Sequence, residues 1–295
     1  MKYLPKTNSG QALLLVLLSM AVVLTIVLSV ISRSVTDISV TTTSEDSLRA
    51  FSAAEAGVEQ ALIAGGNIPE TPLGDAKFIT SVSGFASGSK EVLYPASLSA
   101  GEVGVIWFVS HDGNGNPTCA DGHCFTGRTF KVCWGKAGTS GSSATTPAIE
   151  VSFFYKNPAV KIARATLDSN SSRRGSNSFS APDAGTCSFS TGETFAFGKT
   201  LDLSGGGLGI PASVYNNQDG LQYAAIRFLY NEGLTQPFGV NVDFAGNSLL
   251  PSQGVKINSQ GTSGEANRRV EVIQGYAQLP DVFDSVIFSP EGVSQ

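Results

Sequence analysis

Residues 12–31 read ALLLVLLSMAVVLTIVLSVI, and this stretch decides the fold. It carries no charge, no proline and no glycine, and only Ser19, Thr25 and Ser29 interrupt the apolar run. As a helix rising about 1.5 Å per residue it is about 30 Å long, the thickness of a bilayer's hydrocarbon core. Polar sequence follows without stopping the helix. Between Gln11 and Ala56 there is neither Gly nor Pro, the two residues that most reliably end one. The stop comes at Gly65-Gly66-Asn67-Ile68-Pro69. One helix is therefore expected from Gln11 to Ala64, about 80 Å long. Its first half, 11–32, reads as transmembrane and its second half, 33–64, as amphipathic.

The flanks set an orientation. Lys2 and Lys6 precede the apolar run with no acidic residue beside them, whereas Arg33, Asp37, Glu45 and Asp46 follow it. The positive-inside rule places Met1 in the cytoplasm and the bulk of the chain across the membrane. A cleaved secretory signal fits poorly, because the run is too long and Ser32-Arg33-Ser34-Val35 offers no A-x-A-like site.

Two local patterns carry a resemblance. Ser9-Gly10-Gln11-Ala12-Leu13-Leu14-Leu15 puts a glycine between a short basic leader (residues 1–10) and the apolar run. Farther on, Ala50-Phe51-Ser52-Ala53-Ala54-Glu55-Ala56-Gly57 lies in the polar half of the helix. The first resembles the leader of type IV prepilins, and the second resembles the A-x-x-A-A-E-A segment of PilX-type minor pilins at the matching distance. The resemblance covers about the first 64 residues. It implies cleavage between Gly10 and Gln11 by a prepilin peptidase, and methylation of Gln11. Where most pilins carry a glutamate at the fifth mature position, this chain has Leu15, a departure shared with certain minor pilins. The implied partners are other pilin or minor pilin subunits, the peptidase and, before assembly, inner-membrane lipid.

Helical spacing groups Leu48, Phe51, Val58 and Leu62, with Ala50, Ala54 and Ala61 nearby, on one face. Arg49, Glu55 and Glu59 lie off it. That face is expected to bury against a sheet.

Residues 65–295 read as an extracytoplasmic β-rich head. Short candidate strands separated by Gly, Ser, Asn and Pro fall at 103–110, 128–134, 149–155, 160–167, 194–203, 222–230, 240–244, 254–258, 268–273 and 285–288. Residues 151–155 and 159–164, joined through Lys156-Asn157-Pro158, form a candidate antiparallel hairpin, as do 254–258 and 268–272. One or two antiparallel sheets are expected, and residues 139–146 and 169–178 are expected to be mobile loops. The fold class is thus α+β. Only 15% of residues are charged and the net charge is −5, which argues against nucleic acid as the main partner.

Outside the cytoplasm, Cys119, Cys124, Cys133 and Cys187 are disulfide candidates, with three possible pairings. Cys119 is expected to pair with Cys124 or with Cys133, stapling the loop to the strand that ends at Trp134. Within that loop Asp112, Asn114 and Asn116 have the 1-3-5 spacing of a calcium loop, but Pro117 stands at position six and His123 at position twelve. A hairpin tip is the expected reading. Zinc on His111, His123 and the cysteines fits no standard spacing. Gly205-Gly206-Gly207-Leu208-Gly209 lacks the Lys-Ser/Thr of a phosphate loop and reads as a flexible connection. Ser172-Arg173-Arg174-Gly175 reads as a solvated basic point.

Nothing here points to an enzyme or a cofactor: both histidines sit in the Gly/Asn loop, and there is no G-x-S-x-G or H-E-x-x-H. The expectation is a minor pilin or pseudopilin of a pilus, secretion or DNA-uptake filament, held in the inner membrane and then displayed at the cell surface. The alternative is a membrane-anchored binding protein or adhesin that never enters a filament.

Overall fold

The computed structural model describes residues 9–120, 123–242 and 249–278. The leader residues 1–8, Asp121, the end of the candidate strand 240–244 and the candidate strand 285–288 lie outside them. Contacts divide the chain into two compact units, Met1–Val82 with Ile257–Val272, and Ser83–Lys256 with Ile273–Gln295. The stretch expected as one head, 65–295, is shared between them.

In chain order the elements begin with α1 (Ser9–Ala64), β1 (Ile68–Leu73), β2 (Ala76–Gly84), β3 (Glu91–Leu93), β4 (Val103–Trp107), β5 (Ser110–His111), β6 (Pro117–Thr118) and β7 (Thr129–Lys136). They continue with β8 (Ala148–Asn157), β9 (Ala159–Asp168), α2 (Ser171–Asn177), β10 (Cys187–Ser188) and β11 (Thr194–Asp202). The last are α3 (Ala212–Tyr215), β12 (Leu221–Leu229), β13 (Phe238–Val242), β14 (Gly254–Ser263) and β15 (Ala266–Gly275). The fold is α+β, with three sheets of three or more strands among the described residues where one or two were expected.

The first unit is α1 and the sheet ordered β1-β2-β14-β15. The helix is unbroken over 56 residues. Gly65 ends it with a left-handed φ of 67° while its N–H still donates to Ala61 O at 2.9 Å. Two hydroxyls of its apolar run are satisfied within the helix: Ser19 donates to Val16 O and Thr25 to Val22 O, so neither presents an unpaired donor to an apolar surrounding. Buried residues on β2 (Ala76, Phe78, Thr80) and on β14 (Ile257, Ser259, Gly261, Ser263) alternate, so one side of the sheet is covered.

The second unit is a sandwich. A sheet ordered β10-β11-β7-β13-β3 faces one ordered β4-β12-β8-β9. Phe130, Trp134 and Phe238 from the first meet Phe153, Ile226 and Phe228 from the second, with Phe130 and Phe153 edge to face at 5.1 Å. The expected 151–155/159–164 hairpin is present as antiparallel β8 and β9.

Two devices fasten this unit. Cys133 on β7 bonds Cys187 on β10 across the intervening β11, and Gly198 lies beneath the bridge, where a Cβ would meet Cys187. The bridge closes 54 residues, a loop for which chain entropy alone gives about 4 kcal/mol. Asp168, wholly buried at the end of β9, accepts from Arg173 Nη2 (2.8 Å) and Nε (3.0 Å), the Asn170 N–H (2.8 Å) and Asn177 Nδ2 (2.9 Å). Arg173 also donates to the carbonyls of Ala144 and Thr146 at 2.7 Å and lies over the Tyr230 ring. The segments 139–146 and 169–178, expected as mobile loops, are therefore pinned together, and part of the second is the helix α2, capped by Asn170. Arg173, with 18% of its side chain exposed, is a half-buried ion-pair partner rather than a solvated point. Backbone carbonyls and a buried carboxylate satisfy it, which local composition does not reveal.

Burial pushes the Asp168 carboxyl up, but hydrogen bonds from Arg173, Asn170 and Asn177 and the guanidinium charge outweigh it and hold the group below its ordinary value. Its contribution to stability is therefore complete above the ordinary carboxylate pKa and is lost as pH falls through the folded value. Urea unfolding of Asp168→Asn should show a flatter acid limb than wild type below about pH 4. At neutral pH, Asp168→Ala should lose about 3–5 kcal/mol.

Candidate functional site

The residues with an assembly role by resemblance lie along α1, and what the helix buries decides which of them remain available. Its covered face is Ala50, Ala53, Ala54, Gly57, Val58 and Ala61. These follow the i, i+3, i+4, i+7 spacing of a helix, but all except Val58 are Ala or Gly. A Cβ on Gly57 would strike Ser259, Thr80 and Phe78, and one on Gly261 of β14 would strike the carbonyl oxygen of Ala50. Toward the apolar half, Ser263 Oγ donates to Asp46 Oδ1 (3.1 Å) and Arg268 Nε to Ser47 Oγ (2.8 Å).

This corrects the expected face. Leu48, Phe51 and Leu62 do not bury against the sheet; they are 66%, 44% and 44% exposed. They form a separate stripe with Glu55, also exposed, between Phe51 and Leu62. The physical reason is distance: with Gly261 and Ser259 as the facing residues, leucine or phenylalanine at the seam would hold the backbones apart. Of the expected seam residues with large side chains, only Val58 is buried. Leu15 is exposed on the apolar half, where every large side chain from Leu13 to Ile31 is exposed. Gly10 and Gln11 lie in the first turns of α1. By length and composition, α1 is a candidate membrane span.

The Gly/Asn loop is a hairpin tip. Asp112 Oδ1 accepts from the N–H groups of Asn114 (2.9 Å) and Asn116 (2.8 Å), and Oδ2 from Asn116 Nδ2 (3.3 Å). The Asn116 bonds, with that of Asn114, hold the Asp112 carboxyl below its ordinary value. Asp112 thus ties Asn114 and Asn116 into the turn between β5 and β6. Among the described residues no group of three His, Cys, Asp or Glu converges as for a metal. His111 stacks on Tyr276 at 3.9 Å and meets Trp107 edge-on at 4.6 Å; burial lowers its pKa against the opposing pull of Asp112.

Cys119 bonds Cys124, the first of the two expected partners. The pairing closes the loop on itself and does not staple it to β7, because Cys133 is taken by Cys187. The Gly205–Gly209 stretch is a closed turn. Leu208 N–H donates to Asp202 O and Gly209 N–H to Ser204 O, while the Arg128 guanidinium and the Ser204 N–H hold the Asp202 carboxyl far below its ordinary value.

No family model matches the chain, and no characterised protein or solved structure does.

The seam's small residues were visible in the sequence, but their role was assigned to the larger neighbours. Conventional hydrophobicity ranks Leu above Ala and ignores how closely backbones must approach. Leu48→Asn and Phe51→Asn should each change stability by less than about 0.5 kcal/mol. Ala54→Leu and Gly261→Ala, by overpacking, should each cost about 1–3 kcal/mol. Urea titration of the full chain in lipid nanodiscs distinguishes the two groups.

Proposed function

We propose that this chain is a minor pilin or pseudopilin: a non-catalytic subunit that enters a type IV pilus or related secretion or DNA-uptake filament through its apolar helix and displays its β domains outside. In this reading Lys2 and Lys6 keep the N-terminus in the cytoplasm, prepilin peptidase cuts between Gly10 and Gln11, and Gln11 becomes the methylated N-terminus. The inner membrane holds 11–32 until assembly. The helices of neighbouring subunits then replace lipid.

The observation that carries the reading is the division of labour on α1. One unbroken helix has an apolar half with every large side chain exposed, and a second half fixed to its own sheet by an alanine–glycine face. Fixing the helix this way leaves Leu48, Phe51 and Leu62 exposed, with Glu55 among them. An apolar stripe continuing toward the membrane half suits packing against other copies of such a helix. Leu15, in place of the usual glutamate, removes a buried carboxylate that lipid would penalise, and with it one assembly contact. That suits a subunit present in few copies.

Mass spectrometry of the mature chain tests the reading. It should give an N-terminal methylated Gln11 in cells containing the peptidase; an intact Met1 would leave only a tethered ectodomain. In sheared filament fractions, Phe51→Asp should be depleted relative to wild type while its level in the membrane is unchanged.

A further inference from the structure

One row of side chains crosses the whole outer face of the sheet β4-β12-β8-β9. The register sets Trp107 opposite Tyr223, Tyr223 opposite Phe154, and Phe154 opposite Ile162. The alternate residues Ile106, Ala224 and Phe153 are buried in the sandwich, so this row points away from the core. Tyr223 stacks on Phe154 at 4.3 Å and lies 5.1 Å from Trp107. Ile162 is 46% exposed and Val160, next on that face, 64%. Core stability does not call for three aromatic rings on an outer face.

Trp107, Tyr223 and Phe154 of this row line a cleft of about 470 Å³, within the range of small-ligand sites. Pro117, Val160, Ala277, Gln222 and Gln278 complete its lining, with Gln222 Nε2 donating to Asp219 O (2.8 Å); among the described residues no Asp, Glu, Lys or Arg lines it. A second hollow of about 230 Å³ shares Val105, Trp107 and Gln278 with the first, so Trp107 borders both. Trp107 is held from behind. Gln253 Oε1 accepts its N–H (2.8 Å) and Gln253 Nε2 donates to its carbonyl (3.0 Å), so a buried amide stands in for the missing neighbour of edge strand β4. His111, itself backed by Tyr276, meets the ring edge-on.

From this arrangement we infer that the cleft binds a neutral oligosaccharide, with successive sugar rings on either side of Trp107. A sugar ring has an apolar C–H face that suits aromatic surfaces, and a rim of hydroxyls that both donate and accept, as amides do. The uncharged lining selects against phosphate- or carboxylate-bearing ligands. Two nearby cations are already paired, Lys156 with Asp219 (2.9 Å) and Arg164 with Glu150 (3.6 Å), which disfavours a single-stranded nucleic acid stacking its bases here. The inference does not depend on entry into a filament.

Intrinsic fluorescence provides the test. The chain has two tryptophans, and Trp134 is wholly buried with its Nε1–H on Pro147 O, so a ligand in the cleft changes the emission of Trp107 alone. The full chain in lipid nanodiscs, free of glycosidic detergent, is titrated with cellohexaose, maltohexaose, chitohexaose and mannohexaose. At least one should produce a saturable shift, with a matching calorimetric isotherm. Trp107→Ala and Tyr223→Ala should each weaken that isotherm about tenfold or more, while Leu48→Asn leaves it unchanged. Near-UV circular dichroism checks that the variants remain folded. Silence with all four sugars, or affinity unchanged in both aromatic variants, overturns the inference. So does a shift produced only by a proline-rich peptide or by an oligothymidylate.

Discussion

The closeness of α1 to its sheet is the constraint on which the first unit rests. Ala50, Ala53, Ala54, Gly57 and Ala61 on the helix meet Thr80, Ser259 and Gly261 on the strands, and at two points only a hydrogen atom fits where a Cβ would stand. Such a seam removes modest apolar area per residue but allows many dispersion contacts between close backbones. It is sensitive to any added methyl group, and so it fixes the helix in one position along the sheet. Phe78 is buried beside Ala53 and Ala76 in that small core, with Ile68 packed against it.

The seam also determines what is left over. Because small residues do the packing, the large ones of the amphipathic half are free to face away. The helix thus offers its own sheet one kind of surface and the surroundings another. In the proposed role this separates folding from assembly, since changes on the exposed stripe leave the seam untouched. A design with Leu48 and Phe51 in the seam would bind both functions to the same side chains.

The second unit rests on different physics. Its sandwich core is dense in aromatic rings, and its loops are tied by charge-assisted hydrogen bonds around Asp168 and by a disulfide that crosses a strand over Gly198. These fixings stiffen a scaffold whose outer face carries the Trp107, Tyr223 and Phe154 row. A rigid sheet is a suitable base for such a platform, because the spacing of the rings is set by strand separation rather than by flexible loops.

Composition and local pattern were enough to determine the long helix, its stop at Gly65, the β8–β9 hairpin, most of the sandwich strands and the α+β class. All of these follow from periodicity, hydropathy and the backbone preferences of Gly and Pro, which act within a few residues. Strand β2, which carries Phe78 and Thr80 to the helix, went unread because its alternating pattern is short and lies among turn residues. The covered face of α1, the Cys133–Cys187 pairing, the pairing of Arg173 with Asp168 and the aromatic row were decided only by tertiary structure. Each depends on residues far apart in the chain: Gly261 against Ala50, Cys187 across β11, Thr146 on Arg173, Tyr223 between Trp107 and Phe154. A sequence states what each side chain is, but the fit between two backbones exists only after folding has placed them side by side.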